Sequence, residues 1–214
     1  MRLTKIYTYA ILISMGIITD IQVQKKNPSR VSVFIDGEFF CGLDDFTALK
    51  HRLKIGEAVN EEILAQAVLD SESSSAFEKS MGIIDIRLRT ALEVQKYLQS
   101  KLYSEEVIEL VLAKLKSYGY IDDTVFAQNY IRSKRKTWGR LKIVYSLKQA
   151  GVAQEVIDAV LQETPNQQSE AYALAVKYTG QKAFDKHKTY AYLMRKGFDS
   201  DTIKAAIQQI LENE

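Results

Sequence analysis

Three stretches of this 214-residue chain can be laid over one another, and nothing else in the sequence restricts its fold as much. Residues Tyr97–Leu112 read YLQSKLYSEEVIELVL, Ser146–Leu161 read SLKQAGVAQEVIDAVL and Tyr192–Ile207 read YLMRKGFDSDTIKAAI, at offsets of 49 and 46 residues. Leu98, Leu147 and Leu193 align, as do Tyr103, Val152 and Phe198. Ile108, Ile157 and Ile203 follow, then Leu112, Leu161 and Ile207, with Phe77, Phe126 and Tyr172 upstream. The apolar residues recur at helical spacing: Val107, Ile108, Val111, Leu112 and Leu115 make one helix face. Units of this size bury little apolar surface alone, and stacking neighbours remedies that. The expected fold is mainly α, with three tandem three-helix modules in an elongated array at 76–121, 122–164 and 165–214. Thr164–Ser169 is the joint before the third module. Only Pro28 and Pro165 oppose helix formation, so helices are permitted almost throughout.

Punctuation supports the division. Ser104, Ala153 and Asp199 hold the cap position before the third helix of each module, and the middle one has no capping side chain. Gly119 reads as a left-handed helix stop, and Asp122 or Asp123 starts the next helix.

Upstream the pattern changes. Residues 15–69 read as a small α/β domain with a β-hairpin. Ile17–Gln24 and Val31–Ile35 alternate apolar with polar, as half-buried strands do. Asn27-Pro28-Ser29 reads as the turn between them, and Asp36-Gly37 as a two-residue hairpin turn into Phe39-Phe40-Cys41. Asp44 or Asp45 should cap a helix through Leu53, and Asn60 should open another through Leu69. Asp70–Ser75 (DSESSS) has the composition of a polar linker. Residues 1–14 are expected to be an N-terminal extension. Arg2 and Lys5 before Ile6–Ile13 give it a faint likeness to a signal peptide, but no small-x-small cleavage site follows. Cys41 is the only cysteine, so no internal disulfide is possible. No apolar run approaches the roughly 18 residues of a membrane span. The expectation is a cytoplasmic monomer with no membrane contact.

No enzyme signature is present. The chain has no glycine-rich phosphate loop, no H-E-x-x-H and no C-x-x-C. His51 and His187 lie in different domains without ligand patterns and read as surface residues; Cys41 reads as a small buried hydrophobe. Asp44-Asp45 and Asp122-Asp123 are paired carboxylates, and each precedes a helix that a capping side chain would serve. The expectation is therefore no catalysis, no metal and no cofactor.

The net charge of +2 conceals an uneven distribution. Residues 76–150 carry 14 basic and 8 acidic side chains, a surplus of +6 between flanks of −2 each. Within them, 132–142 (RSKRKTWGRLK) holds Arg132, Lys134, Arg135, Lys136, Arg140 and Lys142 with no acid. Such a cluster attracts a polyanion or an acidic protein face. Trp138, the only tryptophan, lies inside it, as a binding hot spot or a core anchor. Three-helix modules also evoke a helix-turn-helix, but the third helices carry net charges of −1, −3 and −3, which phosphates would repel. Non-specific contact with single- or double-stranded DNA through the basic cluster remains open. Tyr118, Tyr120, Phe126 and Tyr130 read as packing aromatics, with base stacking as the alternative.

Gly119-Tyr120-Ile121-Asp122-Asp123, then Phe126-Ala127, Tyr130-Ile131-Arg132-Ser133, Gly139 and Lys148-x-x-Gly151-Val152 resemble the signature of the RecX regulators of the bacterial recombinase RecA. Tyr103–Ile108 fits the same pattern, the resemblance runs from Ala76 to the C-terminus, and Met15–Leu69 is similar to an extra N-terminal domain of some members. The resemblance implies binding along the groove of the RecA–DNA filament, restraint of its recombinase, ATPase and co-protease activities, and no catalysis or cofactor. It makes Gly119, Tyr120, Asp122, Asp123, Phe126, Tyr130, Gly139 and Gly151 signature positions. Arg132, Lys134, Arg135, Lys136, Trp138, Arg140 and Lys142 are then the candidate contacts to the RecA filament or its DNA.

Overall fold

The computed structural model describes residues 16–180 and 184–212. The expected extension at 1–14 lies outside them. Three antiparallel strands open the fold: β1 (Ile18–Gln24), β2 (Asn27–Ile35) and β3 (Glu38–Asp44), in that order across the sheet. Asp36 and Gly37 both take positive φ, +48° and +84°, as a tight hairpin turn of this kind demands. The β1–β2 turn is Lys25-Lys26 and not Asn27-Pro28-Ser29. The pairing slips between Val23 and Gln24, and that irregularity lets Pro28 sit in a strand without costing a regular ladder bond.

Ten helices follow among the described residues: α1 (Asp45–Lys50), α2 (Glu61–Ile84), α3 (Ala91–Ser100), α4 (Glu105–Ser117), α5 (Asp123–Lys134), α6 (Arg140–Gln149), α7 (Gln154–Gln162), α8 (Gln168–Thr179), α9 (Lys186–Lys196) and α10 (Ser200–Glu212). Asp44 caps α1 by accepting from Thr47 N at 2.8 Å, and Asp122 caps α5 by accepting from Thr124 N and Val125 N. Gly119 ends α4 with φ +72°; its amide donates to Lys116 O and that of Tyr120 to Leu115 O, which satisfies two otherwise orphaned carbonyls.

The expected linker at 70–75 is instead the middle of the 24-residue helix α2. Its polar residues are contact residues. The Asp44 amide donates to Ser71 Oγ at 2.8 Å, Asp70 accepts from Lys50 and His51, and Ser75 Oγ bonds Tyr103 Oη at 3.0 Å. His51 is thus a hydrogen-bonding contact of Asp70, its Nε2 2.9 Å from the carboxylate and its side chain largely buried, rather than a surface residue. Burial pushes the Cys41 thiol up to about 12, as expected of a small residue packed against the sheet core.

The chain forms two compact units: one of the described residues up to Gly82 with Leu98–Lys114, the other of Ile83–Tyr97 and everything from Leu115 onward. In the first, Ile18, Val31, Val33 and Leu43 of the sheet pack with Ala48 of α1 and Ala67 of α2. In the second, α5–α7 enclose one core (Phe126, Ile131, Ile143, Leu147, Ile157, Leu161) and α8–α10 another (Ala171, Leu193, Phe198, Ile203, Ile207). Leu147, Ile157 and Leu161 in the one, and Leu193, Ile203 and Ile207 in the other, are aligned apolar positions of the repeat, whereas Ile131, Ile143 and Ala171 lie outside that set. In the first module Leu98 and Ile108 are buried, while Phe77, Tyr103 and Leu112 are half-buried.

One joint recurs between modules inside the second unit. The start of α3 lies on the α6–α7 turn: Thr90 Oγ1 donates to Ala150 O at 2.6 Å, and a Cβ on Gly151 would meet Leu92 Cβ at 2.4 Å. The start of α6 lies on the α9–α10 turn in the same register. There the Gly139 amide donates to Lys196 O at 2.9 Å and the Leu141 amide to Gly197 O at 3.0 Å. A Cβ on Gly139 would stand 2.1 Å from Phe198 N, so only glycine permits this approach. The matching turn residues are Leu102, Gly151 and Gly197, all at positive φ.

Candidate partner-binding surface

The basic cluster spans the end of α5, the connection 135–139 and the start of α6. Its members divide into three groups. Arg132, Lys136 and Arg140 are exposed, and among the described residues no carboxylate pairs with them. Lys134 and Lys142 place their ammonium groups 5.3 and 4.4 Å from the Trp138 ring centroid. Each cation is attracted to the indole face and partly covers it. Arg135 is committed elsewhere. Its Nε donates to Glu170 Oε1 at 2.8 Å, and both side chains are mostly buried. Sequence reasoning found no acid near Arg135 because the acid comes from α8, 35 residues away. Arg135 braces the second module to the third and is not an open cationic contact.

Glu170 is held below the usual carboxylate range. Burial pushes the other way, but its own backbone amide, the Ser169 hydroxyl and the Arg135 charge together outweigh it. Gln167 completes the joint: its Nε2 donates at 2.9 Å to both Arg135 O and Trp138 O, carbonyls that the end of α5 leaves open. Trp138 serves the core as well as the surface. It packs against the second-module core, its ring edge-on to Tyr130 at 6.5 Å, and Tyr130 stacks on Phe126 at 5.9 Å. Tyr118 and Tyr120 differ from the packing expected of them, being 61% and 44% exposed and in edge contact with each other.

The remaining signature residues do structural work. Asp123 Oδ1 accepts from the Ala91 amide at 3.1 Å, and Gly139 and Gly151 form the two joints. Charge summed by thirds of the chain hid a second basic element. Helix α9 carries Lys186, Lys188, Arg195 and Lys196 with no acid. At the 46-residue offset Lys186 matches Arg140 and Lys188 matches Lys142, so the signal lay in the repeat itself. Among the described residues, no cluster of His, Cys, Asp and Glu has the makings of a metal site, and no helix is long and apolar enough to cross a membrane.

Family models cover the chain in four consecutive pieces. The regulatory protein RecX N-terminal domain matches residues 16–60, and the first, second and third three-helix domains of RecX match 76–115, 122–161 and 167–207. The regulatory protein RecX of Clostridium botulinum (strain Eklund 17B) is 31% identical over 94% of this chain and 99% of its own. That of Geobacillus sp. (strain WCH70) is 34% identical over 88% of this chain and 74% of its own. A crystal structure of regulatory protein RecX superposes with a TM-score of 0.67 at 26% identity, over 90% of this chain and 99% of that one. RecX from Lactobacillus salivarius has the same fold, at a TM-score of 0.59 and 24% identity over 64% of this chain and 96% of that one. On this ground, the chain belongs to the RecX family of regulatory proteins.

Proposed function

We propose that this protein binds the filament that the recombinase RecA forms on DNA and restrains its recombinase, ATPase and co-protease activities. It acts by binding, as a cytoplasmic monomer, without cofactor or catalysis. Family membership across almost the whole chain carries the reading. A regular filament presents the same surface at each step, and a chain of repeated modules is suited to meet it. The contact we assign is the open part of the basic surface: Arg132, Lys136 and Arg140, with Lys134, Trp138 and Lys142 beside them. Arg135 supports that surface from within.

The test is RecA ATPase on single-stranded DNA, titrated with wild type and with Arg132→Ala/Lys136→Ala/Arg140→Ala. Substoichiometric wild type should suppress turnover, and the variant should need a markedly higher concentration. No suppression by wild type at several-fold excess would sink the reading. Equal suppression by the variant would remove the site assignment alone. A second reading, an autonomous DNA-binding protein, draws on the same three exposed cations. It expects tight DNA binding without recombinase, lost steeply as salt rises.

A further inference from the structure

The exposed cations of the second module flank a stretch of chain that the third module holds. Residues 135–139 connect α5 to α6, carry Lys136 and Trp138, and run between Arg132 and Arg140. Among the described residues, the hydrogen bonds that tie 135–141 to another module run to the third. The Arg135 guanidinium reaches Glu170 and, at 3.5 Å, Pro165 O and Asn166 O. The Gly139 and Leu141 amides reach Lys196 O and Gly197 O. The other two bonds come from Gln167, buried at the N-terminal end of α8. It gives both amide hydrogens to main-chain carbonyls, Arg135 O and Trp138 O, at 2.9 Å each.

Stacking one module on the next does not itself require this amide. At the first joint the position of Gln167 is held by Ile121, which is buried, and Ile86 and Thr124 stand where Arg135 and Glu170 stand at the second. The polar fastening belongs to the joint that carries the basic cluster. A buried amide is costly unless it is hydrogen-bonded, and here both of its hydrogens are. Close backbone packing pins the Gly139 end of the connection. Beside Arg135 and Arg140, however, a cavity of about 120 Å³ opens, with Gln167 in its wall. There the position of the chain rests on hydrogen bonds. Both acceptors of Gln167 are main-chain carbonyls, so these bonds do not depend on the side chain at 135.

We infer that Gln167 is a positioning residue for the partner-binding surface. It fixes the backbone between Arg135 and Trp138, and with it the spacing of Arg132, Lys136 and Arg140 and the placing of the indole under Lys134 and Lys142. The third module thus shapes a contact that the second module makes. The inference rests on the reading above, in which those side chains meet the RecA filament.

The experiment measures binding of the labelled full-length chain to RecA filaments on single-stranded DNA, and the emission of Trp138, the only tryptophan, in the free chain. It compares wild type with Gln167→Met, which keeps the reach of the side chain and removes both donors, and with Gln167→Asn, one methylene shorter. Gln167→Met should weaken binding about fivefold, the order of one lost hydrogen bond, with Gln167→Asn in between. It should also red-shift Trp138 emission and raise its quenching by acrylamide. Neither variant removes a cation, so binding lost together with the Trp138 change is lost through placement. The fold should survive, since an apolar side chain holds this position at the first joint. If Gln167→Met unfolds at the assay temperature, Gln167→Asn decides on the same terms. Wild-type binding with either the affinity or the Trp138 emission unchanged in the variant overturns the inference and leaves the proposed function intact. If Arg132→Ala/Lys136→Ala/Arg140→Ala binds as wild type does, the contact assignment falls and the inference with it. No wild-type binding overturns the inference and the proposed function together.

Discussion

Thr189 is the most telling single residue. It is fully buried in α9, and its hydroxyl has no hydrogen-bond partner among the described residues. The repeat puts Val94 and Ile143 at the same position in the other modules, both buried. A buried hydroxyl without a partner keeps its desolvation cost and gains nothing in return. Thr189→Val removes the hydroxyl at nearly constant volume and should raise stability by about 1–2 kcal/mol, read from the urea midpoint at unchanged m-value. A loss of stability would mean that the hydroxyl has a partner after all. Asp70 shows the opposite arrangement. Burial raises its pKa, but hydrogen bonds from Lys50, His51 and Gln66 and the Lys50 charge outweigh that and hold it at about 2. A depressed carboxylate pKa stabilises the fold above its ordinary value near 3.8, and the contribution disappears as pH falls through about 2. The side chain is 23% exposed, so screening reduces the effect to about 1 kcal/mol. Wild type should therefore exceed Asp70→Asn by about that amount at pH 6 and converge with it below pH 2. A gap that persisted at low pH would show that packing, not charge, ties α1 to α2.

Between elements, stability depends on glycines that no helical pattern reveals. Gly139 has an ordinary φ of −75°, so its identity is set only by the backbone of the α9–α10 turn beside it. Gly139→Ala should cost about 3 kcal/mol or force the third module away from the second, since packed backbone cannot yield. Gly82→Ala is the control: its Cβ meets nothing within 4 Å, so helix propensity alone acts and the change should stabilise by up to about 1 kcal/mol. Denaturation of the two variants with wild type should give shifts of opposite sign. The contrast also marks where sequence reading reaches its limit. The helices were legible because their apolar periods, Asp caps and Gly119 stop act within a few residues. The Asp36-Gly37 turn was legible for the same reason. Asp70–Ser75 was misread because linker composition and a polar helix face look alike until Asp44, His51 and Tyr103 are brought against it. The Gly139 and Gly151 contacts were invisible because each depends on backbone from another module.

For the molecule as a whole, the basic cluster was legible as a place but not as a division of labour. Arg132 and Arg135 are indistinguishable in the sequence, yet one is exposed and the other is buried against Glu170. The two therefore make separable predictions. Arg135→Ala leaves the Glu170 carboxylate without its cation in a mostly buried setting, and should cost about 2–3 kcal/mol of stability. Its effect on filament binding should be small under conditions where the variant stays folded, because its guanidinium faces the joint. Arg132→Ala/Lys136→Ala/Arg140→Ala removes three exposed cations that no carboxylate among the described residues pairs with, so stability should move by less than about 0.5 kcal/mol. Its affinity for RecA filaments should fall, more at low salt than at high, since screening already weakens exposed charges. Thermal melts and filament-binding titrations on both variants give four numbers with a crossed pattern. If Arg135→Ala instead lost binding at full stability, Arg135 would leave Glu170 to contact the partner, and the joint would open on binding.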